Sequence, residues 1–372
     1  MMRNVLGIIN NTKNDEFLKE ITYNRSIASV PIGGRYRLID FVLSNMVNSG
    51  IQNIGILVQN KYRSLLDHLR SGKEWDLDRK RDGLFILPPS PSYPVPIRKG
   101  DLENFYNNLS HFSRSRQKYV IISGTDVVCN IDYTNAFNFH QEMDADITII
   151  YNEVDKDGED LTQCIVLDIA KNNRIIGMEV NPVNIKNNKI SMEMYIMKKN
   201  LLIDLIDECV SRGNYDFVKD AIIKNIDQLK MYGYPHQGYV ARINSIQSYY
   251  KHNMDLLSPA VWKDLFFNSG LIYTKVKDQA PAKYMDNAEV KNALVANECI
   301  IEGKVENSVL FRGVRIHKGV HIKNSIIMEK CNIEENSVLE NVILDKEVHI
   351  SKGKKIIGVP GYPVVIEKKT AI

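Results

Sequence analysis

Short runs of consecutive apolar residues alternate with amphipathic segments over the first two-thirds of the chain. The runs at 5–9, 54–58, 119–126 and 146–151 have the length and continuity of buried strands. Apolar residues at helical spacing follow them, most clearly in the segment that Gly50 terminates. Strand followed by helix, repeated, predicts an α/β domain with a mainly parallel, Rossmann-like sheet between two layers of helices.

After about residue 258 the pattern changes to one aliphatic residue at every fifth or sixth position. Three such steps make one turn of a triangular coil whose inward residues stack, so this spacing predicts a left-handed parallel β-helix of hexapeptide repeats. A β-sandwich would not keep a six-residue register over so many steps. The stacked positions are Cys299, Val305, Leu310, Ile316, Ile322, Ile327, Ile333, Leu339, Leu344 and Ile350. The predicted corner residues, where positive φ is needed, are Asn307, Gly313, Gly319, Asn324, Asn332, Asn336 and Asn341.

A chain of 372 residues is too long for one ordinary hydrophobic core. We therefore predict an α/β domain over 1–258, an irregular linker over 259–288 and the β-helix over 289–372.

Composition narrows the classes of partner. The 48 basic and 45 acidic residues give a net charge of +3 without a block of like charge, which argues against nucleic-acid and membrane-surface partners but leaves small anionic ligands open. The five cysteines are scattered and are expected to be reduced thiols. With neither a secretory signal nor an apolar run of about 20 residues, the sequence predicts a soluble cytoplasmic protein.

Residues 5–50 are predicted to form the first strand, loop and helix of a nucleotide-binding domain. The loop at 10–22 has no glycine, although the end of a first parallel strand usually presents backbone N–H groups to a phosphate. A turn at Gly33 and Gly34 and a pair of cations, Arg35 and Arg37, precede the helix.

The segment GGRYRLIDFVLSNMVNSGI at 33–51 is close to the pattern GG[KR]xRxIDFxLSNxxNSGI of the ADP-glucose pyrophosphorylase (glucose-1-phosphate adenylyltransferase) family. SGTDVV at 123–128, DFVKD at 216–220, SYYKHNMDLL at 248–257 and the repeat domain also stand where that family has them. The chain thus resembles the family over nearly its whole length. For active members the resemblance implies conversion of glucose 1-phosphate and ATP into ADP-glucose and pyrophosphate, with Mg²⁺, in glycogen or starch synthesis.

The residues that the resemblance assigns to the phosphates are altered in this chain. NNTKNDEF replaces the family's glycine-rich GGxGxRL loop, and Asp15 and Glu16 are expected to place negative charge where the triphosphate would lie. In the next signature, RAKPA, Arg25 is retained, but Ile27 takes the lysine position.

The metal and sugar positions are altered as well. Asp126 matches the first of two metal-binding aspartates in the family, while Arg242 stands at the second, so we expect these two residues to form an ion pair and predict no metal site and no catalytic residue. The segment 180–182 (VNP) replaces the family's EKP, and Ile165 and Arg98 replace a sugar-contacting glycine and tyrosine. Ser191 alone matches a substrate-binding position, with a structural role at a strand edge as the alternative.

These losses predict a regulatory, catalytically inactive subunit that needs no cofactor and assembles with a catalytic paralogue, in an expected heterotetramer. In the family, positions such as Arg25, Arg35 and Arg37 bind phosphorylated effectors between the domains; a solvated surface or interchain salt bridges are the alternative. Two other functions stay open. One is an active adenylyltransferase with a rebuilt loop, which would need Mg²⁺. The other is a β-helix acyltransferase or sugar-phosphate sensor, for which His317, His321 and His349 are the histidines to consider.

Overall fold

The computed structural model describes residues 2–13, 15–89, 100–155, 161–185 and 187–372. Arg98 and most of the proline-rich segment before it lie outside these ranges. Within them, no helix combines the length and apolarity that a membrane crossing requires. All five cysteines are free and buried.

Strands and helices alternate in the first part of the chain, as the apolar pattern predicts. The strands are β1 (Val5–Asn11), β2 (Pro31–Ile32), β3 (Tyr36–Arg37), β4 (Asn53–Val58), β5 (Gly83–Leu87), β6 (Tyr119–Ser123), β7 (Val127–Val128), β8 (Ile147–Glu153), β9 (Ile165–Ile169), β10 (Ile175–Val180), β11 (Lys189–Lys198), β12 (Met231–Pro235) and β13 (Ala241–Arg242). The helices are α1 (Lys19–Thr22), α2 (Leu38–Asn48), α3 (Arg63–Leu69), α4 (Leu102–Asn107), α5 (Leu109–Arg114), α6 (Tyr133–Glu142), α7 (Lys199–Ser211), α8 (Ile246–Asp255) and α9 (Pro259–Phe267).

Among the described residues the main sheet has nine strands, ordered β10-β9-β11-β6-β1-β4-β5, with β8 beside β11 and β12 beside β8. Its centre is parallel, since β1 pairs in parallel with both β4 and β6. Strand β11 runs antiparallel to β6 and to β8. The carboxyl ends of β1 and β6 therefore lie side by side, which is where an α/β sheet places a ligand.

Helix α2 begins and ends where the sequence predicts. The carboxylate of Asp40 accepts a hydrogen bond from the backbone N–H of Arg37 at the first turn (3.0 Å). The helix ends before Gly50, whose φ of +89° suits glycine. Residues 102–114 form two short helices, α4 and α5, because the Asn108 side chain donates to the Asn104 carbonyl (2.9 Å) and the backbone breaks there.

The second part of the chain is a parallel β-helix. Its strands are β14 (Lys283–Tyr284), β15 (Glu289–Val295), β16 (Ile300–Ile301), β17 (Lys304–Leu310), β18 (Arg315–Ile316), β19 (His321–Lys323), β20 (Ile326–Ile327), β21 (Asn332–Ile333), β22 (Val338–Glu340), β23 (Val342–Leu344), β24 (His349–Ile350), β25 (Lys355–Ile357) and β26 (Val364–Ile366). They pair only in parallel, one coil above the next. Every stacked position predicted from the sequence is buried in this core.

Two details of this part differ from the sequence prediction. Asn332 is not a corner, because it lies in β21 and its side chain hydrogen-bonds His317 (2.9 Å). The segment 259–288 is not wholly irregular, since it contains α9 and the strand β14, which pairs with β16.

The two parts of the chain share one hydrophobic core, which we call the seam. Buried side chains of the α/β part, including Leu18, Ile27, Leu38 and Tyr249, pack in the same cluster as Val309, Phe311, Ile326, Met328 and Ile343 of the β-helix. Polar contacts reinforce the seam: the Tyr250 hydroxyl donates to the Asn324 carbonyl (2.7 Å).

Candidate functional site

A cleft opens at the carboxyl ends of β1 and β6. The loop after β1 contributes Lys13, and the turn after β6 contributes Asp126. These residues line a cavity of about 340 Å³ together with Asp101, Glu193 and Asp216. The described lining residues of the cavity thus include four acidic residues and one lysine.

The Lys13 ammonium lies between two carboxylates in this cleft. Its Nζ is 2.7 Å from Asp126 Oδ2 and 2.6 Å from Glu193 Oε1. Burial by itself lowers the pKa of Lys13, but attraction to the two carboxylates outweighs burial and the pKa is raised. Lys13 therefore remains charged at neutral pH.

Glu193 reaches the cleft because β11 carries a β-bulge. The pairing register of β11 with β8 shifts between Ser191 and Met194, and Glu193 has φ +54° in the left-handed region. An extra residue in a strand re-aims the side chains beside it, which explains why Glu193 points at Lys13. The Ser191 hydroxyl accepts a hydrogen bond from the Glu193 backbone N–H (3.0 Å) and is buried. The structure thus places Ser191 inside the bulge as a cap.

The expected ion pair between Asp126 and Arg242 is wrong. Arg242 pairs with Val127 in the short ladder of β13 and β7, so its backbone lies beside Asp126, as the family resemblance implies. Its guanidinium instead donates to Asn152 Oδ1 (2.9 Å) and to the Ser191 carbonyl (3.1 Å). Lys13 neutralises Asp126 from the opposite loop.

The residues of this cleft do not fit a magnesium ion. Mg²⁺ requires oxygen ligands at about 2.0–2.1 Å in an octahedral arrangement. Asp126 Oδ2 is occupied by the Lys13 ammonium, and a guanidinium stands at the second aspartate position of the family. Over the described ranges, no group of three or more His, Cys, Asp or Glu side chains is placed to hold a metal.

Asp101 lines the same cavity, and its carboxyl group has a shifted pKa. It accepts hydrogen bonds from the Phe217 backbone N–H (2.8 Å) and from the Asn10 amide (3.1 Å). Burial raises the pKa of Asp101 to about 6, despite these bonds.

Two acidic residues of the loop after β1 are not among the described lining residues of this cavity. Asp15 and Glu16 were predicted to place negative charge at the triphosphate position, but neither lines the described cavity. Asp15 pairs with Lys61 (3.0 Å), and Glu16 lies near Lys19 (3.7 Å). Ile27 is buried in the seam, as its aliphatic side chain predicts.

The three arginines predicted to share an anion site make separate contacts, although Arg25 and Arg37 interact electrostatically: burial and the nearby Arg25 charge lower the pKa of Arg37. Arg25 is buried in the seam, where its Nη2 bonds both oxygens of Asp345 (2.7 and 2.8 Å). Arg37 donates to the carbonyl and the hydroxyl of Ser64 (2.7 and 3.0 Å). Arg35 is exposed and lines a cavity.

That cavity, of about 370 Å³, lies between the two parts of the chain at the Gly33–Gly34 turn and carries three cations, Arg35, Lys277 and Arg312. None of its described lining residues is acidic. Burial lowers the pKa of Arg312, opposed by the nearby Glu329 carboxylate and reinforced by Arg35. Glu329 also pairs with Lys277 (3.2 Å) and Lys346 (2.8 Å), so cations outnumber carboxylates at this end of the seam.

The histidines considered for acyl transfer pair with neighbours along the β-helix surface. His317 bonds Asn332 (2.9 Å), His321 bonds Glu306 (2.8 Å) and His349 lies 3.2 Å from Glu334. All three are half-buried or exposed at the ladder. This arrangement is typical of surface ion pairs and hydrogen bonds between coils.

Sequence reasoning missed Lys13, Glu193, Asp101, Lys277 and Arg312. Lys13 carried one available signal, because it is the only cation in the loop between β1 and Asp15. The others come from distant segments, and only the fold brings them to the two cavities.

Comparison with known proteins agrees with this architecture. Residues 17–265 match the family model described as nucleotidyl transferase, and residues 280–360 match one described as GlmU-like, C-terminal hexapeptide. The predicted fold class, a nucleotidyltransferase sheet followed by a left-handed β-helix, is thereby confirmed. Members of the nucleotidyltransferase family generally use Mg²⁺.

Curated relatives span nearly the whole chain. The glycogen biosynthesis protein GlgD of Bacillus subtilis (strain 168) is 40% identical over 364 residues, which cover 98% of this chain and 96% of that protein. GlgD of Geobacillus stearothermophilus is 42% identical over 86% of this chain and 83% of its own length. A glucose-1-phosphate adenylyltransferase of Fervidobacterium nodosum is 34% identical, covering 95% and 86% of the two chains.

Proposed function

Because this chain belongs to the glucose-1-phosphate adenylyltransferase (ADP-glucose pyrophosphorylase) family, we propose that it serves glycogen biosynthesis in the cytoplasm as a regulatory subunit without turnover of its own. In this proposal it requires no cofactor. It assembles with a catalytic paralogue, in a heterotetramer, and modulates that paralogue's activity.

The observation that carries this proposal is the charge of the cleft. Adenylyl transfer must bring a triphosphate and a sugar phosphate together, and catalysts do so with cations and metal ions. Here Asp101, Asp126, Glu193 and Asp216 line the cavity with Lys13 as the one ammonium among its described lining residues. Both Lys13 contacts go to protein carboxylates, so its charge is already neutralised. Such a cavity repels the anionic substrates.

The framework around the cleft argues for a retained role. The sheet, the capped helix α2 and the β-helix core are complete, and the seam buries apolar side chains from both parts. Substitutions that accumulate without selection would erode these features as readily as they erode a cleft. A role in assembly and control needs the framework and does not need the chemistry.

The seam cavity is the proposed effector site. Arg35, Lys277 and Arg312 converge there; none of the described lining residues is acidic, and Glu329 pairs with Lys277 from beside the cavity (3.2 Å). Guanidinium groups bind phosphate oxygens through paired N–H donors. A small phosphorylated ligand at this position would contact both parts of the chain at once, so its binding could change their relative stability.

Exposed apolar side chains support the proposed assembly. They concentrate between α9 and the first coil of the β-helix, at Val276 and Tyr284, and on its last coils, at Ile357, Val359 and Tyr362. Clusters of exposed large apolar residues mark surfaces that other chains cover. We assign these surfaces to contacts with the catalytic paralogue.

Two measurements test the proposal. The purified chain, mixed with ATP, glucose 1-phosphate and Mg²⁺, should release no pyrophosphate above background. Co-expression with the catalytic paralogue should give a mixed oligomer by native mass spectrometry, with effector response or affinity different from that of the paralogue alone. Pyrophosphate release by the lone chain at an enzymatic rate, or failure of the two chains to associate, would contradict it.

The effector site has its own variant test. In the mixed assembly, Arg312→Ala should weaken the response to phosphorylated effectors while leaving assembly intact. Arg212→Ala is the matched control, because Arg212 is an exposed arginine just after α7 that pairs with Glu208 (2.9 Å). An unchanged effector response in Arg312→Ala would place the site elsewhere.

A further inference from the structure

We propose that the Lys13 ammonium takes the place of the divalent cation in the cleft, so that Asp126 and Glu193 are neutralised by the chain itself. This inference concerns metal dependence. It goes beyond the proposed function, and either could fail without the other.

The geometry is that of an ammonium holding two carboxylates. Lys13 Nζ is 2.7 Å from Asp126 Oδ2 and 2.6 Å from Glu193 Oε1, which are distances of charge-assisted hydrogen bonds. Asp126 is almost fully buried, and Lys13 and Glu193 are each about a quarter exposed. An ion pair at this depth is shielded from salt far better than one on the surface.

The three groups come from three separate elements. Lys13 follows β1, Asp126 follows β6, and Glu193 stands on the bulge of β11. The Lys13 ammonium contacts carboxylates from two other elements and so stabilises the positions of all three. A bound metal ion would have the same structural effect. The left-handed φ of Glu193 is a strained conformation for a non-glycine residue, and it is maintained where the side chain meets Lys13.

A divalent cation cannot share this position with the ammonium. Asp126 Oδ1 is buried and has no hydrogen-bond partner among the described residues, so it is a carboxylate oxygen available to an incoming ion. An ion bound there would lie within a few ångströms of the Lys13 charge, where two cations repel strongly in a poorly solvated site. Lys13 therefore excludes the metal as well as replacing it.

Removing the ammonium should create a metal site. Lys13→Met keeps the length of the side chain and removes its charge, which leaves the Asp126 and Glu193 carboxylates facing each other. We expect this variant to bind Mn²⁺ at least tenfold more tightly than the wild-type chain. Binding is measured as the loss of the electron paramagnetic resonance signal of free Mn²⁺. Adding Asp126→Asn to Lys13→Met should abolish the gain.

The matched control is Lys61→Met. Lys61 also pairs with a carboxylate of the same loop, Asp15, but it lies outside the cleft cavity. This variant should bind Mn²⁺ no better than wild type. Folding of each variant is checked by circular dichroism.

Two results would overturn the inference. One is a folded Lys13→Met protein that binds Mn²⁺ no more tightly than wild type. The other needs no variant and therefore stands even if Lys13→Met fails to fold: the thermal midpoint of the wild-type chain should be the same in Mg²⁺ and in EDTA, and a clear rise in Mg²⁺ would show a metal in the native cleft. Neither measurement depends on adenylyl transfer, so the outcome is separate from that of the pyrophosphate-release assay.

Discussion

The charged side chains that are buried in this molecule are stabilised by individual ion pairs and not by apolar packing. Arg25 and Asp345 are each about 4% exposed or less, and their contact joins the α/β part to the β-helix. Removing one partner of a buried pair leaves the other charge without solvent or counter-ion. The sensitivity of the molecule to substitution is therefore concentrated at a few residues.

Arg25→Met should lower the free energy of unfolding by about 3–5 kcal/mol, because Asp345 then stays buried without its cation. Chemical denaturation measures the loss. Lys352→Met is the control, since Lys352 pairs with Glu335 at the surface and such pairs contribute less than about 1 kcal/mol. A loss in Arg25→Met as small as that of the control would mean that the seam pair is not structural.

Asp101 should make stability depend on pH. Its folded pKa, about 6, lies above its ordinary value of 3.8, so the folded state binds the proton more tightly. The stabilisation from that proton is complete below about pH 4 and is lost as pH rises through 6. Asp101→Asn has no proton to lose.

Between pH 3.5 and pH 7 the stability of Asp101→Asn should therefore rise relative to wild type by about 2 kcal/mol, allowing for partial solvent screening. Denaturation curves of both proteins at several pH values give the difference. A constant difference across that range would contradict the raised pKa.

The candidate site could be predicted from the sequence only in part. The loss of phosphate-binding groups could be found residue by residue, as the buried Ile27 illustrates. The partners of Asp126 could not, because Lys13 and Glu193 are 113 and 67 positions away and meet it only through the strand order and a bulge. Arg25 was assigned to an anion site because nothing in the sequence shows that Asp345 will cover it.

At the scale of elements, the β-helix depends on corners with left-handed backbone. Asn307, Asn324, Asn336 and Asn341 have φ between +45° and +60°. The spacing predicted most corners because asparagine and glycine are favoured there. It missed corners such as Lys330, at φ +60°, whose residue type gives no signal, and it wrongly included Asn332, which is in a strand.

Asn336→Val should destabilise the protein by about 1–2 kcal/mol, because a β-branched residue at φ +60° is strained. Asn336→Gly should change stability by less than about 0.5 kcal/mol at the same position. Glu335→Val tests the exposed neighbouring position, which is not among the positive-φ residues. Thermal or urea denaturation separates the three, and equal effects of valine at 335 and 336 would rule out backbone strain as the cause.

At the scale of the whole molecule, the two parts should unfold together. Their shared core includes Leu18 and Tyr249 from the first part and Phe311 and Met328 from the second. Unfolding either part alone would expose that core, at about 25 cal/mol for each Å² of apolar surface. The sequence predicted two separate domains because its pattern changes near residue 258, and periodicity does not reveal what packs between two patterns.

Differential scanning calorimetry should therefore show one transition, with calorimetric and van't Hoff enthalpies in agreement. Phe311→Ala, which removes a buried ring of the seam, should shift the whole transition to lower temperature. Two resolved transitions, with only one of them displaced by this substitution, would contradict a common folding unit.

The seam also constrains how such chains can diversify. Proteins with independent halves can exchange them by recombination, because each half brings its own complete interior. Here a β-helix taken from a related protein would bring different side chains to positions 309, 311 and 328 of the shared core. Without an acidic residue at 345, it would also leave Arg25 buried with no counter-ion. The α/β part and the β-helix must therefore be inherited together. New functions are then expected to arise from substitutions at the rims of the cavities rather than from exchange of domains.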